Sequence, residues 1–516
     1  MHDRHRTAHY IRTIIPILFL GMMGLHAEAS GSVDWRPCSD TSMPRMTSCP
    51  SATALSTTSS VDVECAHLPV ALDHLNPSDA LHAVDVCRTR SADAAYRRGN
   101  LLLLPDDTDL SAGDALIDQI RLWQALPGGM RDVGKTFDVV TIAPRELKDP
   151  TFIHCASSGS HGELHAHRRF GLDTSAANLD AAANRGHLVA LACSDDPMTP
   201  FIGIRQRVGD IEALRSQLAD GIEVIYAKGQ GTWTAARYVA AHPDGVRRVL
   251  LDRPVDFTAT RWGAMVSAVQ ARGELYRSAL SLVTDTIEPR LAFARLPEGL
   301  RMLVDQHIAH PHALRNTLHV GRCMAAASDA LRPFCAHGYG GSEENYLPGE
   351  TLQILATPST GRRENLLGSG VQRTHDHFTR NFLARACTDD DSLRAPMRLW
   401  RARVTALGER FPLAQHTEGF AGMVCSHWPA SAPPTPVHPD FGDTPVLAIR
   451  WRHDSNASHA DIVAALARTH NGTLVVDHAS ATDFMPGEGQ CSARIAHAFV
   501  VEGHRPSAAI TDCPSP

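Results

Sequence analysis

Continuous apolar runs and helical stripes alternate along the first half of this chain. Asn100–Leu104 is an apolar run after its first residue, bounded by Gly99 and Pro105, the mark of a strand buried on both faces. Phe137–Ile142 and His187–Ala192 read the same way, and Leu68–Leu72 with Ala83–Arg88 read as paired strands. Over Arg207–Leu218 the period lengthens, placing Val208, Ile211, Leu214 and Leu218 on one side of a helix. A strand at Ile222–Ala227, a helix at Thr232–Ala241 and a strand at Val246–Leu251 follow. Strands alternating with helices predict a mostly parallel sheet covered on both faces, an α/β fold. From about Asp256 to Pro434 helical stretches dominate, broken by Pro, Gly and His. Alternation then returns with a strand at Pro445–Arg450, a helix at Ala460–Thr469, a strand at Thr473–Asp477 and a helix at Ser492–Val501. The expected organisation is a core segment over 30–255, a helical lid inserted over 256–434, and a second core segment over 435–516.

The N-terminus changes how the cysteines are read. Arg4, Arg6 and Arg12 precede an apolar run from Ile14 to Leu25, and Ala27-Glu28-Ala29 offers small residues at both positions a signal peptidase reads. Residues 1–29 are expected to be a cleaved secretory signal. An uncleaved anchor is the alternative, disfavoured by the shortness of the apolar run. No later stretch is long and apolar enough to span a bilayer, so the mature chain is expected to be secreted or periplasmic and free of the membrane. All 12 cysteines lie after the signal, and export makes disulfides their default state. No Cys-x-x-Cys pair is present, which argues against a zinc ribbon or redox dithiol. The segment 30–62, rich in Ser, Thr and Pro and carrying Cys38 and Cys49, reads as an irregular, cross-linked opening. A net charge of −7 with both signs mixed gives no reason to expect nucleic acid or an anionic membrane surface as partner.

A series of landmarks then falls into order. Trp35-Arg36-Pro37-Cys38 opens it, followed by Glu64-Cys65-Ala66, Pro69, Leu72-Asp73 and Pro77. Asp138-Val139-Val140, Pro144-Arg145, Cys155 and Cys193 come next, then Asp210-Ile211-Glu212-Ala213-Leu214-Arg215 on a helix. Gly231-Thr232, Pro243, Val246, Arg248 and Leu251-Asp252 complete the first half. Asp454, Cys491, Gly503, Pro506 and Cys513 mark the end. Over roughly 33–256 and 440–513 the chain resembles the secreted tripeptidyl aminopeptidase and proline iminopeptidase branch of the α/β-hydrolases. The resemblance implies an α/β-hydrolase fold with a lid and a serine exopeptidase acting at free N-termini, with no cofactor. It also implies disulfides Cys155–Cys193 and Cys491–Cys513. Cys323–Cys335 and Cys387–Cys425 are expected within and across the lid. Cys38, Cys49, Cys65 and Cys87 should pair among themselves in an order the sequence leaves open.

The chemistry such an enzyme needs is a nucleophile, a base and an acid that orients the base. The nucleophile elbow is a sharp strand–turn–helix, and Tyr226-Ala227-Lys228-Gly229-Gln230-Gly231-Thr232 has that form with Gly229 at the serine position. A slipped register would leave only Thr232 and Thr234, both inside the following helix. Gln230 stands where the resemblance places a backbone N–H of the oxyanion hole. The other oxyanion loop, glycine-rich in the family, reads Pro105-Asp106-Asp107-Thr108-Asp109, which suggests a solvated acidic loop. Asp454 falls at the acid position. Thr482 falls where the base histidine belongs, and His478 could substitute only if its loop were rearranged.

Other features are weaker. Ser158-Gly159-Ser160-His161-Gly162 imitates an elbow but lacks a strand leading into it. The pairs His165/His167, His310/His312 and His375/His377 have strand-face spacing, yet no third ligand is evident and no metal is expected. The leading expectation is a hydrolase-fold protein without peptidase activity, which binds a peptide or a free N-terminus, or serves another exported protein as partner. The rivals are an active hydrolase with displaced machinery, using Ser160 or Ser480 with His478, and a metal-dependent or structural His-rich protein.

Overall fold

The computed structural model describes residues 33–39, 46, 48–50, 61–106, 111–125, 129–145, 174–194, 196–280, 382–411, 417–429, 439–452, 454–478 and 490–514. Among them ten strands form one sheet: β1 (Arg36–Pro37), β2 (Val63–Ala71), β3 (Leu81–Thr89), β4 (Asn100–Leu104), β5 (Asp138–Ile142), β6 (Ile222–Lys228), β7 (Val246–Asp252), β8 (Val446–Trp451), β9 (Gly472–Asp477) and β10 (Ile510–Cys513). Their spatial order is β1-β2-β3-β5-β4-β6-β7-β8-β9-β10. The pairs β1–β2, β2–β3 and β3–β5 are antiparallel, and every pair from β5–β4 onward is parallel. This is the α/β-hydrolase topology. Because the parallel strands run the same way, β4, β6, β7, β8 and β9 all present their carboxyl ends at one edge, where sites form in such sheets.

The apolar runs explain the central strands. Every residue of β4 is buried, which requires helices on both faces. Alternate residues serve opposite cores. Leu102, Leu104, Ile225, Ala227, Val249 and Leu251 join one core with α3 (Ile204–Gln217), α4 (Gly231–Ala241) and α8 (His459–Ala467). Leu101, Leu103, Val224, Tyr226 and Leu250 join the other with α1 (Ala112–Ala125) and α9 (Gln490–His497).

One predicted strand is a helix. His187–Ala192 lies inside α2 (Ala176–Ser194). The run looks strand-like by itself. Over the whole segment, however, the buried residues Leu179, Ala182, Ala183, Gly186, Val189, Ala190 and Cys193 follow the helical period. Leu188 and Leu191, which supplied the continuous apolar look, are exposed.

Between β7 and β8 the chain makes a long excursion and returns to the neighbouring position, pairing Val249 with Val446. No strand is found in this excursion among the described residues. It contributes α5 (Arg261–Leu280), a helical run over 382–389, α6 (Met397–Arg410) and α7 (Thr417–Cys425). These elements pack with α2 in a third apolar core built around Trp400, Phe420 and Leu383. A disulfide joins Cys387 to Cys425 as expected, and Arg272 of α5 pairs with Glu418 of α7.

The Cys491–Cys513 bridge is present and ties α9 to β10. The order left open at the N-terminal end resolves as Cys38–Cys49 and Cys65–Cys87. Cys65 and Cys87 are direct cross-strand partners on β2 and β3, which makes this the short-range solution. The sulfurs of Cys38, Cys49 and Cys65 lie within 4.8 Å of one another, but as disulfides they lack the thiolate that ligates a metal. Cys193 is buried and disulfide-bonded. Its expected partner Cys155, the Cys323–Cys335 pair and the signal segment 1–29 lie outside the described residues. No described helix is long and apolar enough to cross a membrane.

Candidate active site

The elbow is built as its sequence suggests. β6 ends at Lys228, Gly229 turns, and α4 begins at Gly231. Gly229 adopts φ +52°, a left-handed conformation in which a side chain is strained. Its N–H donates to the Asp252 carbonyl at the end of β7 at 3.0 Å. Its carbonyl accepts the Thr232 N–H at 3.1 Å and the Thr232 hydroxyl at 2.6 Å. Thr232 is therefore a buried structural group, and Thr234 is buried as well. Neither offers an exposed hydroxyl for attack. A Cβ on Gly231 would meet the Leu104 carbonyl at 2.4 Å, so the helix start lies hard against the end of β4.

The residue that follows β4 makes the unexpected contribution. Asp106 does not point into solvent as one member of an acidic loop. Its carboxylate turns into the elbow and accepts the Gln230 backbone N–H at 2.8 Å. A Cβ added to Gly229 would lie 2.2 Å from Asp106 Cγ, 2.2 Å from Oδ2 and 2.3 Å from Oδ1. The carboxylate thus fills the volume any side chain at position 229 would need, and holds the Gln230 amide beside it. Asp107 and Asp109 lie outside the described residues. The sequence held one signal for this arrangement, since a bare glycine permits close approach by another group. Nothing in the sequence says which group approaches.

Asp454 follows β8, two strands from β6. A ladder of contacts joins the two ends across β7. Lys228 is in register with Asp252 and Asp252 with Ile449. Arg253 donates its N–H to the Ile449 carbonyl at 2.7 Å, and its own carbonyl accepts the Asn456 side-chain amide at 2.7 Å. Arg253 takes φ +47°, so this crossing holds a non-glycine residue in left-handed backbone. The Asp454 carboxylate is buried. Its Oδ1 accepts the Asn456 N–H at 2.9 Å, while its Oδ2 has no hydrogen-bond partner among the described residues. Burial pushes its carboxyl above the ordinary value, against the pull of Arg253, the Asn456 N–H and Arg450.

His478 stands just beyond β9. Its N–H donates to the Cys513 carbonyl at 3.0 Å, and its ring Nε2 lies 2.9 Å from Asp512 Oδ1 on β10. The ring is thus engaged with the outer edge of the sheet. Thr482, Ser480 and Ser160 lie outside the described residues, as do the His165/His167, His310/His312 and His375/His377 pairs.

A second set of residues, not visible from spacing, ties the elbow to the excursion. Arg261 at the start of α5 donates to Gln230 Oε1 at 2.7 Å. The same guanidinium donates to Asp389 Oδ2 at 2.9 Å and 2.5 Å, and the Arg261 N–H donates to Asp390 Oδ2 at 2.6 Å. Arg261 and Arg237 both stack on Trp233, with guanidinium carbons 4.4 Å and 3.6 Å from the ring centre. Burial lowers Arg237 to about 9, helped by the neighbouring Arg261. The motif residues Arg145 and Asp210 form a buried bidentate pair at 2.7 Å and 2.6 Å, with His74 added at 2.8 Å. That network also takes the Ala71 and Leu72 carbonyls, so it supports the fold beside the site.

The fold is that of the α/β-hydrolase class, with a left-handed glycine at the turn between β6 and α4. Residues 412–513 match the family model described as TAP-like protein. Among solved structures it is similar to a proline iminopeptidase from Mycobacterium smegmatis, at 11% identity and TM-score 0.33, covering 85% of this chain and 98% of that one. It is also similar to an acetylester hydrolase from Corynebacterium glutamicum, at 10% identity and TM-score 0.35, covering 86% and 91%. Candida antarctica lipase A is a third, at 11% identity and TM-score 0.34, covering 94% and 85%. A search of the curated proteins finds no match.

Proposed function

We propose that this chain is an exported α/β-hydrolase-fold protein that has lost serine-peptidase chemistry and binds a peptide or a free N-terminus beneath its helical excursion. The observation that carries the reading is Gly229. It sits at the turn of a well-formed elbow, has no atom with which to attack a carbonyl, and has no room for one beside Asp106. Loss of the nucleophile removes nearly all that a triad provides. The residual contribution of an oxyanion hole is reduced as well, because the Gln230 N–H already serves Asp106. The four disulfides described support export.

The buried, half-satisfied Asp454 gives some support to the rival reading, a working hydrolase with a displaced base, since it is an acid suited to orient a histidine. The engagement of His478 with Asp512 weighs against it. The test uses mature protein with aminoacyl- and tripeptidyl-anilides and a fluorophosphonate serine probe. No turnover and no labelling are expected, together with saturable binding of unblocked peptides. Robust turnover that a Gly229→Trp substitution abolishes, or specific labelling of one serine, would establish the rival. N-terminal sequencing of the exported protein should find a start near Ser30.

A further inference from the structure

The geometry points to Asp106 as an internal occupant of the oxyanion seat, an autoinhibitory contact made possible by Gly229. This deepens the reading above, since it assigns a state to the same elbow, and it rests on three observations. The Asp106 carboxyl coincides with the space of any side chain at position 229, at 2.2–2.3 Å from the Cβ that such a residue would carry. Its Oδ1 accepts the Gln230 N–H at 2.8 Å, at the start of the 11-residue helix α4, whose partial positive charge favours an anion there. A cavity of about 30 Å³ adjoins it, lined among others by Asp106, Thr141, Arg207 and Thr234. That space admits a water or two, or the carboxylate itself if it withdraws.

The absent serine and the acidic oxyanion loop are then one feature. The glycine makes space, and the carboxylate takes both the space and the hydrogen bond. A ligand oxygen can reach the Gln230 N–H only by displacing Asp106. With Asp106 removed, the seat takes a small external carboxylate.

Two measurements on the full mature chain test this. In a thermal-unfolding cycle, Gly229→Ala lowers Tm sharply in the unaltered protein and by less than half as much in an Asp106→Gly background. In the Asp106→Asn background the amide fills the same volume, so Gly229→Ala keeps its full effect there. Added formate raises the Tm of Asp106→Gly above that seen with equal chloride and leaves the unaltered protein unmoved. Additive Tm losses in the Asp106→Gly cycle, or an equal formate response in both proteins, would overturn the assignment. If Asp106→Gly does not fold, Asp106→Ala, which also lacks the carboxylate, takes its place, and an undiminished Gly229→Ala effect there contradicts the assignment. None of these readouts involves peptide hydrolysis. A failure here leaves the proposed loss of activity standing, and turnover of anilides leaves this cycle to be judged by itself.

Discussion

The ends of β6 and β8 sit at the same edge of the sheet, and they treat a carboxylate in opposite ways. At the β6 end, Asp106 is half-buried and hydrogen-bonded to an elbow amide at a helix start. At the β8 end, Asp454 is fully enclosed, with one oxygen bonded to Asn456 and the other without a partner among the described residues. Burial alone does not decide whether a carboxylate stabilises its surroundings. A donor within reach does, because an unmatched buried acceptor keeps its desolvation cost. The elbow end is internally completed. The Asp454 end leaves an acceptor unmatched among the described residues, and it carries the energetic cost of that.

This contrast can be broken at several points. The largest expected effect is at Arg261, whose guanidinium joins Gln230 to Asp389. Arg261→Ala removes the charge partner of the buried Asp389 carboxylate, leaving it, among the described residues, only the Ile204 N–H on its other oxygen, and should cost about 3–5 kcal/mol of stability in denaturant titrations. A smaller loss would mean that the elbow and the excursion are less firmly joined than the hydrogen bonds imply. Next comes Gly229→Ser. Left-handed backbone and overlap with Asp106 should together cost about 2–4 kcal/mol, and the variant should still hydrolyse no anilide. Adding Thr482→His to supply a base should not restore activity while Asp106 keeps its place. Only the triple change with Asp106→Gly clears the seat, and a trace of turnover is expected there alone.

Asp454 gives the pH-dependent test. Its folded-state value is raised by burial above the ordinary 3.8, so the folded protein holds that proton more tightly than the unfolded chain does. Stability from this group is therefore full below the ordinary value and is lost as pH rises through the raised one. Asp454→Asn should remove that loss and be more stable than the unaltered protein at neutral pH, the advantage vanishing in acid. Melting curves across pH check it, and a constant offset at every pH would show that charge is not the cause. The smallest effect belongs to His478→Ala. Its pair with the exposed Asp512 should contribute no more than about 1 kcal/mol, and the variant should bind peptides as the unaltered protein does. A large loss of binding would bring His478 into the site.

Much of the framework was legible in the chain. Central strands buried on both faces are mostly apolar, so β4, β6, β7 and β8 announced themselves within a residue or two of their bounds. The elbow was legible for a similar local reason, since a strand, a turn of small residues and a helix occupy consecutive positions. So were the Cys387–Cys425 and Cys491–Cys513 bridges. The stretch His187–Ala192 was misread because its five apolar residues after the histidine fit either period until the flanking turns are included.

What the sequence by itself determined is that a glycine stands at the strand-to-helix turn after β6. It could not determine what fills the resulting space, because Asp106 and Gly229 are more than a hundred residues apart and meet only when β4 pairs with β6. The same holds for Arg261 with Asp389 and for Asp454 with its single bonded oxygen. A residue's local conformation is set by its neighbours in the chain, and a buried charge is set by whichever donor the sheet brings within three ångströms of it.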